Sequence, residues 1–270
     1  MLEFYQNIPT KIDPVALAIG SFPIYWYSLM YLVALVVVGG LLYYRITKKE
    51  TDILWEDVLD FLLNSFLGII IGGRIGYIIF YNLNYFLANP MEIVMPFNQR
   101  GEFVGIYGMS YHGGLVGFMG VTYFFCKYRK INFLKLTDFV LPALPLGYFF
   151  GRMGNFLNGE LYGRVTTHFW GMNFGDGILR HPSQLYEAFF EGLILFVILW
   201  IGRNSLSGRR GLISGLYLVG YGGLRFIIEF FRQPDQQLGL FLHYLTMGQI
   251  LSLFMIIAGL YLINKSSNNK

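Results

Sequence analysis

Seven apolar runs, at about 24–44, 58–81, 110–126, 137–151, 184–202, 211–230 and 247–263, limit what this chain can fold into. A helix crossing a bilayer needs roughly 17–25 such residues. Hydrocarbon offers no water to backbone amides, so each run is expected to satisfy its own hydrogen bonds as a helix. Composition agrees, with 55% hydrophobic and only 13% charged residues, where a soluble domain carries about 25% charged. The fourth run is short and holds Pro142 and Pro145. It is expected to be kinked or partly re-entrant. The expected fold is an all-α integral membrane protein with about seven transmembrane helices and a small extracytoplasmic head. Residues 1–270 form a single transmembrane domain in this reading, with the head inserted at about 152–183.

Orientation follows from Lys and Arg, which favour the cytoplasmic side. One set of connections holds Arg45, Lys48 and Lys49, then Lys127, Arg129, Lys130 and Lys135, then Arg203, Arg209 and Arg210, then Lys265 and Lys270. The other set holds Lys11, Arg100, Arg152, Arg164, Arg180 and Arg232. The richer set is expected inside, so the N-terminus lies outside and the C-terminus in the cytoplasm. The two longest connections, about 82–109 and 152–183, then face outward. The second has turn signals at Gly175-Asp-Gly, as a small folded cap would.

Several classes fall away. The basic residues are dispersed between apolar runs, with no aromatic-basic repeat, so no nucleic-acid partner is expected. Cys126, the single cysteine, allows no internal disulfide, and beside Lys127 at the end of an apolar run it reads as a bystander. The stretch before the first run carries Glu3 and Asp13 and lacks a basic region, so no cleavable signal peptide is expected. Histidines 112, 168, 181 and 243 are scattered singly, so neither metal nor cofactor is expected. No Gly-x-Ser-x-Gly elbow is present for lipase-type chemistry.

Charges inside spans cost at least ~2.5 kcal/mol, which makes each a functional candidate. Arg74 lies in the second span. Arg225 and Glu229 stand four apart on one helical face, where they could pair. Glu187 and Glu191 are likewise four apart and read most simply as interhelical staples. His112 opens the third span before Gly113 and Gly114, which would let another backbone or a ligand approach. It could be a proton acceptor or a satisfied interfacial histidine, and the residues leave both readings open. Tyr27 belongs to an aromatic cluster that most simply is an interfacial belt, yet its hydroxyl could serve a site there.

The stretch Gly151-Arg-Met-Gly-Asn-Phe-Leu-Asn-Gly-Glu-Leu-Tyr-Gly163 interleaves polar groups with apolar ones directly after an apolar run. Arg152, Arg225, His112, Asn155, Asn158, Glu160 and Tyr27 all map to the outer membrane boundary. Two planar guanidinium forks suit a phosphate, and apolar walls suit acyl chains. An anionic phospholipid is the substrate that needs both.

Gly151 to Arg164 closely resembles the signature of the bacterial prolipoprotein diacylglyceryl transferases. The likeness extends over nearly the whole chain, through Trp26–Tyr31, Gly72–Tyr77, Tyr111–Leu115, Arg180–Glu187 and Arg225–Asp235. The resemblance implies a seven-span inner-membrane enzyme with an outward head and no cofactor. It would transfer the diacylglyceryl group of phosphatidylglycerol to the lipobox cysteine of a prolipoprotein signal peptide, releasing glycerol 1-phosphate. Matched by motif, the residues that matter are Tyr27, His112, Arg152, Asn155, Glu160, Gly163, Arg225 and Glu229. Some family members carry a longer insertion between the positions of Gly163 and Arg180.

That reaction needs a base near the thiol and positive charge at the departing phosphate. Arg152 and Arg225 are assigned to the phosphate, oriented by Glu229 and Glu160. Asn155 and Asn158 are assigned to the glycerol headgroup. His112 is the candidate base, because arginine stays protonated. The alternative from another class is a lipid or solute transporter, escorting a headgroup with the same arginines and forming no covalent product.

Overall fold

This computed structural model describes residues 2–20, 22–95, 108–206, 208–234 and 245–268. Arg100 and His243 lie outside them, as does the side chain of His112. Each of the seven apolar runs is largely helical. Four helices, Trp26–Thr47 (α3), Trp55–Tyr81 (α4), Ser183–Leu206 and Met247–Asn268 (α12), are long and apolar enough to cross a membrane. A fifth crossing arises if Phe133–Val140 (α7) and Leu144–Leu157 (α8) form one span. Tyr111–Arg129 (α6) and the shorter apolar Leu212–Ile228 (α11) occupy the two remaining runs. Helix accounts for most of the chain, as expected.

The α7–α8 pair bends by 54° across Leu141–Ala143. Pro142 lacks an amide hydrogen there, and Pro145 suits the first turn of α8, where amides have no helical partner. α8 then runs on to Leu157, past the expected end of the span at 151, so Arg152 and Asn155 stand on a helix rather than in the connection after it. Met153, Phe156 and Leu157 keep an apolar spacing of three and four, which continues the helix.

The chain forms two compact units. One holds residues 52–136. In it α4 and α6 lie antiparallel through facing glycines: a methyl on Gly72 would lie 2.8 Å from the Gly117 Cα, and one on Gly76 2.7 Å from the Gly113 Cα. Such small-residue faces let helices in lipid gain dispersion energy without a hydrophobic driving force. Ser110 accepts from the Gly113 amide to cap α6, and its own amide donates to Gly73 O at 2.9 Å. At the other end of the pair Arg129 meets Asp57 at 3.3 Å and also Asp60. The helix Leu83–Ala88 (α5) and the short turn Pro90–Ile93 follow α4, with the Arg74 guanidinium donating to the carbonyls of Glu92 and Ile93.

The other unit holds residues 1–51 and 137–270. Leu2–Gln6 (α1), Ile8–Lys11 (α2) and an antiparallel pair, Val15–Ile19 (β1) with Phe22–Tyr25 (β2), precede α3. α3 packs on α8, where Gly154 lets the Tyr27 Cα approach to 3.2 Å of the position a methyl would take. Ser183–Leu206 is built of Ser183–Tyr186 (α9), a π-helical stretch Glu187–Ile194 and Leu195–Leu206 (α10). α11 and α12 are antiparallel, with Gly215 facing Gly259 O and Gly222 facing Ser252 O. Asp138 accepts from the amides of Gly211 and Ser214, capping α11 from outside its own helix. Between Asn158 and Pro182 lie turns and a two-residue antiparallel pair, Met172–Asn173 (β3) with Leu179–Arg180 (β4). α1 joins this segment through Tyr5 and Gln6, which donate to the carbonyls of Trp170 and Phe169. Among the described residues, the short pairs β1–β2 and β3–β4 depart from the all-helical expectation.

Candidate active site

Two helices and the turn after the second bring three arginines to one carboxylate. Glu187 is fully buried at the start of the π-helical stretch. Its Oε2 lies 2.8 Å from Arg152 Nε of α8 and 2.9 Å from Arg225 Nη1 of α11. Arg232 Nη1 reaches the same carboxylate at 3.5 Å. A π-helix is a register fault that often marks a functional site, because it re-aims side chains without ending the helix. Here it starts at Glu187, and both Glu187 and Glu191 turn inward. Unpaired, either carboxylate would carry a large desolvation penalty, so the arginines are what make this burial tolerable.

Arg225 is held twice. Its Nη1 goes to Glu187, and its Nη2 lies 2.9 Å from Glu229, the expected partner one turn on. Gly248 of α12 makes room for that carboxylate, since a methyl there would lie 2.7 Å from Glu229 Cδ. Arg152 is held on its other side by Asn155, with Nη1 donating to Oδ1 at 3.2 Å, and its guanidinium lies over the Tyr148 ring at 4.8 Å. Asn155 in turn donates to Glu160 Oε1 at 2.9 Å, and Gln184 donates to the Glu160 carbonyl. Among the described residues nothing accepts from Arg152 Nη2 or Arg225 Nε. The cluster therefore offers two oriented guanidinium groups with donors to spare, which is what an oxyanion of a phosphate diester requires.

The remaining expected residues take different places. Asn158 ends α8, and its side chain accepts from the Tyr27 amide at 3.2 Å, fixing the start of α3 on the signature stretch. The Tyr27 hydroxyl donates to Tyr31 at 2.9 Å. Gly163 is a close-approach position between protein segments: a methyl there would meet the Phe231 carbonyl and lie 2.8 Å from His181 Cβ. Its amide donates to His181 O, while the Arg164 amide donates to Phe231 O, so the 163–165 backbone bridges the 179–181 segment and the end of α11. His181 is buried there, and burial, with His168 beside it, pushes its imidazole below the usual range.

His112 stands in the first turn of α6, within the 52–136 unit. Of the two readings of Gly113, close approach by another backbone is the one observed. Among the described residues no group of His, Cys, Asp and Glu is arranged to hold a metal ion.

The simplest reading of Glu187, an interhelical staple, agrees with its ion pairs to α8 and α11, and it takes more than one partner. Glu187 is the shared counter-ion of Arg152, Arg225 and Arg232, and Tyr148 joins it to Glu191. Arg232 and Tyr148 were not singled out from the sequence. A buried acid in the Arg180–Glu187 segment was the available signal, but convergence of segments distant in the chain is a tertiary fact.

Comparison with known proteins gives a consistent result. A family model described as prolipoprotein diacylglyceryl transferase matches residues 14–264. The phosphatidylglycerol–prolipoprotein diacylglyceryl transferase of Chlorobaculum tepidum is 48% identical over 269 residues, covering 96% of this chain and 93% of that protein. The protein of the same name from Rickettsia bellii is 46% identical over 262 residues, 95% of this chain and 96% of its own. That from Bordetella parapertussis is 46% identical over 263 residues, 96% and 95% respectively.

Proposed function

The chain belongs to the prolipoprotein diacylglyceryl transferase family, and from that premise we propose that it transfers the diacylglyceryl group of phosphatidylglycerol to a prolipoprotein cysteine. The observation that carries this reading is the pair of arginines gathered on Glu187, which supports binding of a lipid phosphate. The acceptor is the thiol of the lipobox cysteine in a prolipoprotein signal peptide. Its sulfur attacks the glycerol carbon bearing the phosphate. The C–S bond forms as the C–O bond breaks, and the electron pair leaves with glycerol 1-phosphate. A free thiol is mostly protonated near neutrality, so a base must take its hydrogen.

Arg152 and Arg225 neutralise the charge that grows on the departing phosphate. Asn155 and Glu160 hold Arg152 in register, and Glu229 does the same for Arg225. Tyr27 and Asn158 shape the floor of the site where α3 starts, and Gly163 admits the Phe231 backbone beside it. His112 serves as the base, since among Tyr27, His112, Arg152, Asn155, Glu160, Arg225 and Glu229 it is the residue type that ordinarily titrates near neutral pH. The chain crosses the bacterial cytoplasmic membrane seven times with N-terminus outside and C-terminus inside, and residues 158–182 lie at the outer face, where phosphatidylglycerol and the exported cysteine meet.

The test uses phosphatidylglycerol labelled in its headgroup glycerol. Purified protein releases water-soluble label only when a lipobox peptide bearing a free cysteine is added. Release without peptide would mean hydrolysis of the lipid and contradicts the transferase reading, and no release with peptide contradicts it and favours a lipid transporter.

A further inference from the structure

The Tyr148 hydroxyl touches two buried carboxylates at once. It lies 2.6 Å from Glu191 Oε2 and 3.1 Å from Glu187 Oε2, and both glutamates are fully buried. A phenol has one hydrogen, and an ionised carboxylate only accepts. Two ionised partners would leave one of these contacts as lone pair against lone pair. The trio therefore needs a second hydrogen, carried by one carboxylate. Glu187 faces Arg152, Arg225 and Arg232, which hold it as an anion. Glu191 is the poorer partner of those arginines. Its Oε1 is 3.8 Å from Arg225 Nη1 and buried with no hydrogen-bond partner among the described residues. The hydrogen belongs on Glu191, which donates to Tyr148, which donates to Glu187.

Keeping Glu191 neutral leaves Arg152, Arg225 and Arg232 facing one carboxylate charge fewer, so more positive charge remains for an incoming phosphate diester. A phosphate entering between Arg152 and Arg225 also competes with the Glu187 carboxylate for the same guanidinium hydrogens, and protonating Glu187 relieves that repulsion.

We propose that Glu191, Tyr148 and Glu187 hold one exchangeable proton, which phosphate binding draws from Glu191 through Tyr148 to Glu187. Tyr148 hands its hydrogen to Glu187 Oε2 as it takes one from Glu191. Glu191 becomes a carboxylate, Glu187 a carboxylic acid, and the phenol is unchanged. Glu187 thus acts as a surrogate anion while the site is empty and gives up its arginines when lipid arrives. Glu191 and Tyr148 are positioning residues, acting through Glu187. The inference rests on the reading of Arg152 and Arg225 as the phosphate site.

Infrared difference spectra test this with the full protein in maltoside detergent at neutral pH. The probe is an ether-linked phosphatidylglycerol, which has no ester carbonyl to mask carboxylic acids. The expected result is a carboxylic-acid carbonyl band in lipid-free protein that shifts when the lipid is added. Glu191→Gln should abolish the lipid-free band. Tyr148→Phe, which keeps the ring under Arg152, should keep the band and stop its shift. Absence of the band, its survival in Glu191→Gln, or a wild-type band that ignores the lipid overturns the proposal. Lipid retention by Arg225→Ala is scored in parallel. Full retention overturns the phosphate site itself, whereas lost retention beside an unmoved wild-type band overturns the proton transfer alone.

Discussion

Arg152 on α8 and Glu187 at the start of the π-helical stretch meet at 2.8 Å, with the carboxylate fully buried. Because Glu187 also takes Arg225 and Arg232, this contact joins the signature stretch to two further arginines distant in sequence. The arginine pair is thereby held together by the protein's own carboxylate. Preorganised charge of this kind costs no rearrangement when a phosphate begins to leave.

Removing Glu187 should be more damaging than its position behind the arginines suggests. Glu187→Ala leaves the Arg152 guanidinium without its carboxylate and Arg225 with Glu229 alone, and breaking a buried pair typically costs about 3–5 kcal/mol. Thermal unfolding in detergent should show a clear loss of stability together with lost turnover. Unchanged stability would mean that the arginines do not depend on Glu187.

Arg152 has its Nε on Glu187 and its Nη1 on Asn155, a planar arrangement that a lysine cannot copy. Arg152→Lys keeps the charge and loses the fork. Turnover should fall by roughly 10²–10³-fold, the scale seen on removing one preorganised donor to a transition-state oxyanion. Turnover near the parent's would show that charge alone suffices.

If His112 is the base, His112→Asn loses the acid limb of the pH–rate profile along with most of its turnover. A variant whose rate and acid limb match the parent's would remove His112 from that role.

The glycine faces of α4 and α6 predict a reversal of sign. Exchanging a helical glycine for alanine ordinarily stabilises by ~1 kcal/mol. At Gly72 the methyl would meet the Gly113 carbonyl and lie 2.8 Å from the Gly117 Cα. Gly72→Ala should instead cost about 1–3 kcal/mol through overpacking. Gly39→Ala, whose methyl would meet nothing within 4 Å, is the control and should lose no stability. Equal behaviour of the two variants in thermal unfolding would contradict the close packing.

Much of this organisation could be read in the residues, and the exceptions have physical reasons. Long apolar runs mark helices because hydrocarbon leaves the backbone no other partner, and Pro142 marks the break because it lacks an amide hydrogen. The Arg225–Glu229 pair is local, one turn apart, and was legible for that reason. Glu187 was harder. Two acids four apart on an apolar helix suit a staple as well as a hub, and only the fold brings Arg152 and Arg225 to one of them. The extension of α8 through Arg152 was hidden by the glycines and asparagines of the signature, which resemble a connection in composition. The π-helical stretch has no sequence signal that periodicity can detect.

The most direct measurement of the central claim is the mass of the acceptor cysteine. Purified protein is incubated with phosphatidylglycerol of defined acyl chains and a lipobox peptide, and the peptide is weighed. The account predicts a gain equal to one diacylglyceryl group on the cysteine sulfur, lost when the cysteine is replaced by serine and lost with the Arg225→Ala enzyme that still folds. A peptide of unchanged mass, or a full gain with Arg225→Ala, would contradict it.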